Sequence, residues 1–401
     1  MKRILVTDGD ERAALAVTRS LGRDLEVHVV GLAPSSLAGA SRWAHAEHVV
    51  TAPLVNPIGF ARDIIALAQS LGIDGVIPIS DASCHALLPE RARLPDETLL
   101  LAPTETAYRR LSDKKKVAEC AEQQGIPSPP GGYATTLEDA LAISRTVGWP
   151  LIVKPVTSIV TDSSAQGPVR LAVRRADNAP DLERVWSELG GSGALVQKRV
   201  PGWGEGLFVL RSQGQTRAVF AHRRLREKPP EGGVSVLRES IAVDPDLLAR
   251  LEVMLDQADF EGVAMAEFKT DGTSRWLMEF NVRFWGSLQL AIDAGVDFPR
   301  LLVDSMSVEN SEATLAIAQT AGFQCGVRSR WLLGEVDHAL ALARGGTDAK
   351  GRSGWIQALR VMFLPAGPRS RWEVLRLSDP FPFWIELRRW LRLLRSSRHS
   401  H

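Results

Sequence analysis

The chain opens on an alternation of short apolar runs and longer stretches of helical period. Ile4, Leu5 and Val6 predict a strand that ends at Thr7, Asp8 and Gly9. Ala14, Leu15, Val17 and Leu21 recur near a 3.6-residue spacing and predict a helix over 11–21. Further strands are predicted over 27–32, 75–79 and 99–102, with a helix over 58–71. Strands alternating with helices imply a parallel sheet with crossover helices, an α/β unit. The loop after the first strand lacks GxGxxG, so this unit reads as a scaffold with part of a substrate cleft.

After Pro103 the pattern changes. A helix is predicted over 112–124, with Ser112 as N-cap and Lys114, Lys115 and Lys116 in its first turn. Gly125, Ile126 and Pro127 end it. A second helix over 136–146 has Thr136 as cap and Asp139 three residues on. Residues 151–155 form a buried strand that stops at a proline. The stretch 156–167 is a Ser/Thr-rich polar loop. Strands follow over 171–173 and 194–200, with a helix over 181–189 between them. Gln213, Gly214 and Gln215 punctuate one hairpin, and Asp271 and Gly272 punctuate a second between 263–268 and 276–280. A helix over 245–259 separates the two. Helix-rich sequence continues to about residue 343, and the tail from Gly351 is rich in Arg, Trp and Pro. These are α+β signals.

Composition narrows the class. A length of 401 residues suits two or three domains, and 45% hydrophobic content suits a soluble globular protein. The formal net charge of +1 offers no basic surplus, which argues against a nucleic-acid partner. Cys84, Cys120 and Cys325 lie far apart and form no CxxC or Cys/His cluster. No zinc site or disulfide framework is expected, and a cytoplasmic location is. The first apolar run is too short for a signal peptide, and no stretch reaches membrane-spanning length.

The second hairpin carries the chemistry. Glu279 and Asn281 are two residues apart on one strand and face the same way. A turn at Asp271-Gly272 brings Glu267 beside them. Carboxylates in strands built from Ala264, Ala266, Phe268, Leu277 and Phe280 need a partner. Three hard oxygen donors on one face suit Mg²⁺ (or Mn²⁺).

The stretch AEFKTDGTSRWLMEFNVRFWGS resembles the metal-binding hairpin of the ATP-grasp superfamily, and three other segments match in the expected order. SDKKKVAECAEQQGIPSP resembles its D-K helix and G-I-P-x-P turn. PLIVKP resembles the strand whose lysine meets nucleotide phosphates. ALVQKRVPGWGEGLFVL resembles its hinge strand and turn, with one extra residue. The resemblance implies an N-terminal Rossmann-like domain over 1–103, then a two-subdomain ATP-grasp fold over 104–310 with a lid at about 130–200. A C-terminal extension follows over 311–401. It also implies that ATP and Mg²⁺ are bound: Lys114 and Lys154 at the phosphates, and Gln197 at the adenine amino group. Backbone groups of Arg199 and Val200 would read the adenine edge, Glu205 would hold the ribose, and Glu267, Glu279 and Asn281 the metal. Arg283 would contact the transferring phosphoryl group, and Arg238 the substrate or phosphate. The loop 156–167 departs from the family, with one glycine where relatives have several.

The implied reaction converts a carboxylate to an acyl phosphate and couples it to an amine, with ADP and phosphate released. A bicarbonate-activating enzyme related to biotin carboxylase and a non-enzymatic nucleotide-binding protein are the alternatives. Arg223, Arg224, Arg226 and Arg238 form a basic segment suited to an anionic substrate or to solvent. Asp81 reads as a helix N-cap. In the tail, Phe383, Trp384, Leu387, Trp390, Leu391 and Leu394 share a helical face flanked by arginines. That helix either docks on the protein or makes peripheral contact with an anionic membrane. Oligomeric state is not legible in the sequence.

Overall fold

The N-terminal alternation folds into a five-stranded parallel sheet. Its elements run β1 (Arg3–Val6), α1 (Arg12–Leu21), β2 (Glu26–Gly31), β3 (Ala46–Val49), α2 (Pro57–Leu71), β4 (Gly75–Ile77), α3 (Asp81–Leu87), β5 (Leu99–Leu100) and α4 (Glu105–Ser112). The strand order is β3-β2-β1-β4-β5, every pairing parallel. Ile4, Leu5 and Val6 are fully buried because both faces of a parallel sheet are covered. β3 lies at the sheet edge, and its Ala-Glu-His-Val sequence has no apolar run to announce it. α3 also lies outside the sequence expectation. Its N-cap is Ser80, whose hydroxyl accepts from the Ser83 amide, so Asp81 is a helical residue and not the cap. The computed structural model describes all residues except 158, 162–167, 190–192, 307–321, 348–351, 353, 364–366 and 399–401.

The chain continues through α5 (Lys114–Gln123), β6 (Gly131–Ala134), α6 (Leu137–Val147), β7 (Leu151–Pro155), β8 (Ile159–Thr161), β9 (Pro168–Arg170), β10 (Arg174–Ala176), α7 (Ala179–Glu188) and β11 (Ala194–Lys198). Ser112 ends α4, and the cap of α5 is Asp113, whose carboxylate accepts from the Lys115 and Lys116 amides. Thr136 and Asp139 form the reciprocal capping box that their spacing predicts. β10, β7, β11 and β6 make an antiparallel sheet in that order. β8 and β9 pair as a separate ribbon, so part of the expected loop is strand. Residues 171–173, expected as a strand, connect β9 to β10. Ser158 and residues 162–167 of that loop lie outside the described residues.

The rest of the chain builds a seven-stranded sheet. Its elements are β12 (Trp203–Ser212), β13 (Gln215–Lys228), β14 (Val234–Ser240), α8 (Pro245–Gln257), β15 (Gly262–Thr270), β16 (Arg275–Asn281), α9 (Leu288–Ala294), α10 (Phe298–Ser305), β17 (Arg328–Arg330), α11 (Leu332–Ala343), α12 (Trp355–Phe363), β18 (Ser370–Trp372) and α13 (Phe381–Arg398). The order is β16-β15-β12-β13-β14-β17-β18. The segment after residue 310, expected as an extension, thus supplies two strands of this sheet. One sheet face buries Leu207, Val209, Phe268 and Leu277 against Leu111, Val117 and Leu251. On the other, Phe208, Leu210, Phe220 and Met265 pack with Val17 and Leu290. The second core anchors the N-terminal sheet beside the open part of that face.

Candidate active site

One row of residues crosses the large sheet on its open face. Glu279, Glu267, Gly206, His222 and Ser240 are successive cross-strand partners. Directly opposed residues share a face, so both glutamates and His222 point into the same space. Gly206 makes that possible. A Cβ there would lie 2.8 Å from His222 Nε2, so the imidazole leans over β12 where a side chain would otherwise stand. Gly204 serves Arg224 the same way, with a Cβ 2.7 Å from Arg224 Cδ. Arg224 thereby reaches Glu267, Nη2 to Oε2 2.6 Å. Asn281 Nδ2 donates to Glu279 Oε1 at 3.3 Å.

Burial pushes the Glu267 carboxyl above its usual range; Arg224 opposes this and Glu279 adds to it. Two carboxylates and an amide oxygen on one face, one carboxylate disfavoured as an anion, are a donor set that a divalent cation would stabilise. Two lysines close on it from other elements. Lys154 is 5% exposed, and its Nζ donates to the Met278 carbonyl at 3.4 Å. Burial lowers its ammonium to about 8, although Glu279 and Glu267 favour the charged form. Lys114 Nζ lies 3.9 Å from Glu279 Oε2. A cavity of about 530 Å³ between the four-stranded and seven-stranded sheets is lined by Lys154, Arg199, Val200, Glu267 and Glu279.

Other expected residues stand differently. Gln197 is buried in β11, and its Oε1 has no hydrogen-bond partner among the described residues. An acceptor left without a donor at that depth costs about 1–3 kcal/mol, which a ligand N–H would recover. The Arg199 amide, expected at the adenine edge, donates instead to the Pro150 carbonyl at 2.9 Å. Glu205 is misplaced by the sequence reading. It opposes Phe268, so it points to the face opposite Glu267, where it accepts from Trp203 Nε1 and Arg275 Nε at 3.1 Å each. A ribose role for Glu205 is therefore withdrawn.

Arg283 grips Asp81 with two hydrogen bonds and donates to Asn281 Oδ1 at 3.1 Å. Arg238 is 1% exposed and pairs with Glu373, which also accepts from Arg12 Nη1 at 2.6 Å. Arg223 pairs with Glu239 on the other sheet face and Arg226 with Glu335, so the basic segment is strand and not a solvated loop. The tail helix α13 docks: Trp331 Nε1 donates to Glu386 Oε1 at 2.7 Å, Trp390 Nε1 to Asp337 Oδ1 at 2.8 Å, and Phe383 joins the second core. Its Trp384 and Leu393 stay exposed. No helix among the described residues is long and apolar enough to cross a membrane.

Sequence reasoning missed His222, Arg224's contact with Glu267, and Glu386. The signal for the last is a lone acid inside an Arg- and Trp-rich amphipathic run. It also missed a cluster away from the cleft, where ligand atoms of Glu26, His28 and His45 lie within 4.8 Å of one another.

The family model described as "ATP-grasp in the biosynthetic pathway with Ter operon" matches residues 195–325. The formate-dependent phosphoribosylglycinamide formyltransferase of Trichormus variabilis is 27% identical over 180 residues, 44% of this chain and 43% of that protein. The chain spans less than half the length of the curated relatives it matches. Among solved structures, the biotin carboxylase domain of Hydrogenobacter thermophilus 2-oxoglutarate carboxylase, complexed with MgADP, ADP and bicarbonate, superposes with a TM-score of 0.60. It is 16% identical and covers 78% of this chain and 70% of its own. N5-carboxyaminoimidazole synthetase from Staphylococcus aureus superposes with a TM-score of 0.57 at 16% identity, over 77% of this chain and 79% of its own. Over residues 195–325 the chain is similar to ATP-grasp proteins, and its fold is like that of these biotin carboxylase and N5-carboxyaminoimidazole synthetase structures.

Proposed function

We propose that the chain is an ATP-dependent ligase that activates a small-molecule carboxylate as an acyl phosphate and couples it to an amine, releasing ADP and phosphate. The observation that carries this reading is the placement of Glu267 directly opposite Glu279, with Asn281 alongside and Lys114 and Lys154 closing on the pair. Glu267, Glu279 and Asn281 would hold Mg²⁺ (or Mn²⁺), which when bound supplies a Lewis acid that offsets phosphate charge by several kcal/mol.

The chain's own groups do the rest. Lys154 and Lys114 bind the phosphates and reduce the repulsion that an attacking carboxylate would meet. Gln197 accepts from the adenine amino group, while the Arg199 carbonyl and Val200 line the base. Asp81 holds Arg283 by the Nε–Nη2 edge, so its guanidinium is positioned, and its Nη2 fixes the Asn281 oxygen. Arg238 and Arg224 sit on the same face as donors toward an anionic substrate. The β8–β9 ribbon, carried after Lys154, is placed to exclude water from a hydrolysable acyl phosphate. In this reading residues 1–103 form the scaffold domain, 104–310 the nucleotide-binding body with its lid at 130–200, and the enzyme works in the cytoplasm.

The test is an ADP-release screen over a matrix of acids and amines. Turnover should need one acid and one amine together, and Glu279→Gln should abolish it while the protein stays folded. Release of AMP and pyrophosphate, or ATP hydrolysis indifferent to both co-substrates, overturns the reading.

A further inference from the structure

A second cavity, about 690 Å³, shares Glu267 and Glu279 with the first but is lined on its other side by α13, through Glu386, Arg389, Trp390 and Leu393. Its lining carries an unusual set of buried polar atoms. Both nitrogens of His222, Arg238 Nε, Trp285 Nε1 and Glu386 Oε2 have no hydrogen-bond partner among the described residues. His222 and Arg238 are each 1% exposed. Orphaned polar atoms cost about 1–3 kcal/mol apiece, so several around one cavity mean a wall built for a polar occupant.

The atoms are of two kinds. Arg238 Nε and Trp285 Nε1 only donate, and suit an anion; Glu386 Oε2 is a carboxylate oxygen and suits a cation. The two ends are joined by a chain of contacts. Arg238 pairs with Glu373, Glu373 accepts from Arg12, the Arg12 guanidinium lies 4.0 Å over the Trp331 ring, and Trp331 donates to Glu386. Their separation is therefore fixed by packed side chains. Burial raises the Glu386 carboxyl to about 7, against the Trp331 N–H and Arg12, which favour its charge. An arriving ammonium would restore the ionised form. His222 is kept neutral by burial and by Arg224 and Arg238.

We propose that this cavity receives the amine acceptor, that the acceptor is an amino-acid-type zwitterion, and that Glu386 on the C-terminal helix holds its ammonium while Arg238 and the Trp285 indole take its carboxylate. The proposal rests on the ligase reading for what happens next at the Glu267–Glu279 edge of the same cavity.

The test is calorimetric titration of the full chain saturated with MgADP, using each standard L-amino acid and then the decarboxylated amine of every binder. At least one amino acid should bind, its decarboxylated amine should bind roughly tenfold more weakly or worse, and Glu386→Gln should weaken the amino acid by a similar factor with MgADP affinity unchanged. No binding by any amino acid overturns the proposal, as does equal binding by the decarboxylated amine or by Glu386→Gln. Should Glu386→Gln lose MgADP as well, Glu386→Asp is judged in its place, and an unchanged amino-acid affinity there overturns the proposal. A wild-type chain that fails to bind MgADP overturns the ligase reading itself, and the proposal with it.

Discussion

Arg283 and Asp81 meet edge to edge, Nε to Oδ1 at 2.9 Å and Nη2 to Oδ2 at 2.8 Å, and join the end of the β15–β16 hairpin to the first turn of α3. They are 202 residues apart in the chain. The pair is a direct link between the parallel sheet and the proposed chemistry. Tyr108 OH donates to the same Asp81 at 3.2 Å, and burial raises its phenol well above the ordinary range.

Breaking this pair should cost stability as well as function. Both side chains are less than one-fifth exposed, so Asp81→Ala leaves a guanidinium without its counter-charge. The expected loss is about 3 kcal/mol. Asp81→Ala with Arg283→Ala should lose less than the sum of the two singles, because the second substitution removes the unpaired charge. Urea unfolding of the four proteins checks both statements.

Gln197 separates stability from binding. Its Oε1 is buried and has no partner among the described residues, so Gln197→Leu removes an atom that costs free energy in the nucleotide-free protein. The variant should unfold no earlier than wild type without nucleotide, yet bind MgADP roughly tenfold more weakly. Thermal melts with and without MgADP read both effects at once.

The contrast between Gln197 and Glu205 shows what the sequence could carry. The strand 151–155, the Thr136 capping box and the Asp271-Gly272 hairpin are local, and each is signalled by apolar runs or turn residues at short spacing. Glu267 and Glu279 were legible because charged residues in apolar strands need a reason. Glu205 was assigned from resemblance, and strand parity defeats it: it alternates with Gly204 and Gly206, and the glycines take the cleft face. The Arg12–Glu373–Arg238 group was not legible, since its members come from opposite ends of the chain and meet only through β14 and the turn after β18. β17 and β18 are short and Arg-rich, with no alternation to mark them. Their place is set by the sheet edge they extend.

Gly206 tests the claim that a missing side chain shapes the site. A Cβ at this position would meet Phe208 Cζ at 2.6 Å and His222 Nε2 at 2.8 Å. Gly206→Val must therefore displace a buried ring. The expected destabilisation is about 1–3 kcal/mol, the usual cost of overpacking. The imidazole should move off Glu267's side of the sheet. The His222 ring resonances, followed by NMR against wild type, report that movement, and an unshifted spectrum with unchanged stability refutes the role given to the glycine.

Glu386 makes a pH prediction with a definite sign. Burial raises its folded-state carboxyl to about 7, from an ordinary value of 4.5. Between those values the folded chain holds a proton that the unfolded chain has released, so this group's contribution to stability falls as pH rises through the window. Above about 7 the folded state carries a charged, partly buried carboxylate, and the penalty is fully present. Glu386→Gln keeps an acceptor for the Trp331 N–H and removes the titration. The variant should match wild type near pH 4.5, and exceed it by about 2 kcal/mol at pH 8, allowing for the part of the side chain that reaches solvent. Guanidinium unfolding at the two pH values measures the difference. A variant that loses stability relative to wild type as pH rises would mean that the carboxylate is held ionised in the folded protein by a partner other than an incoming amine.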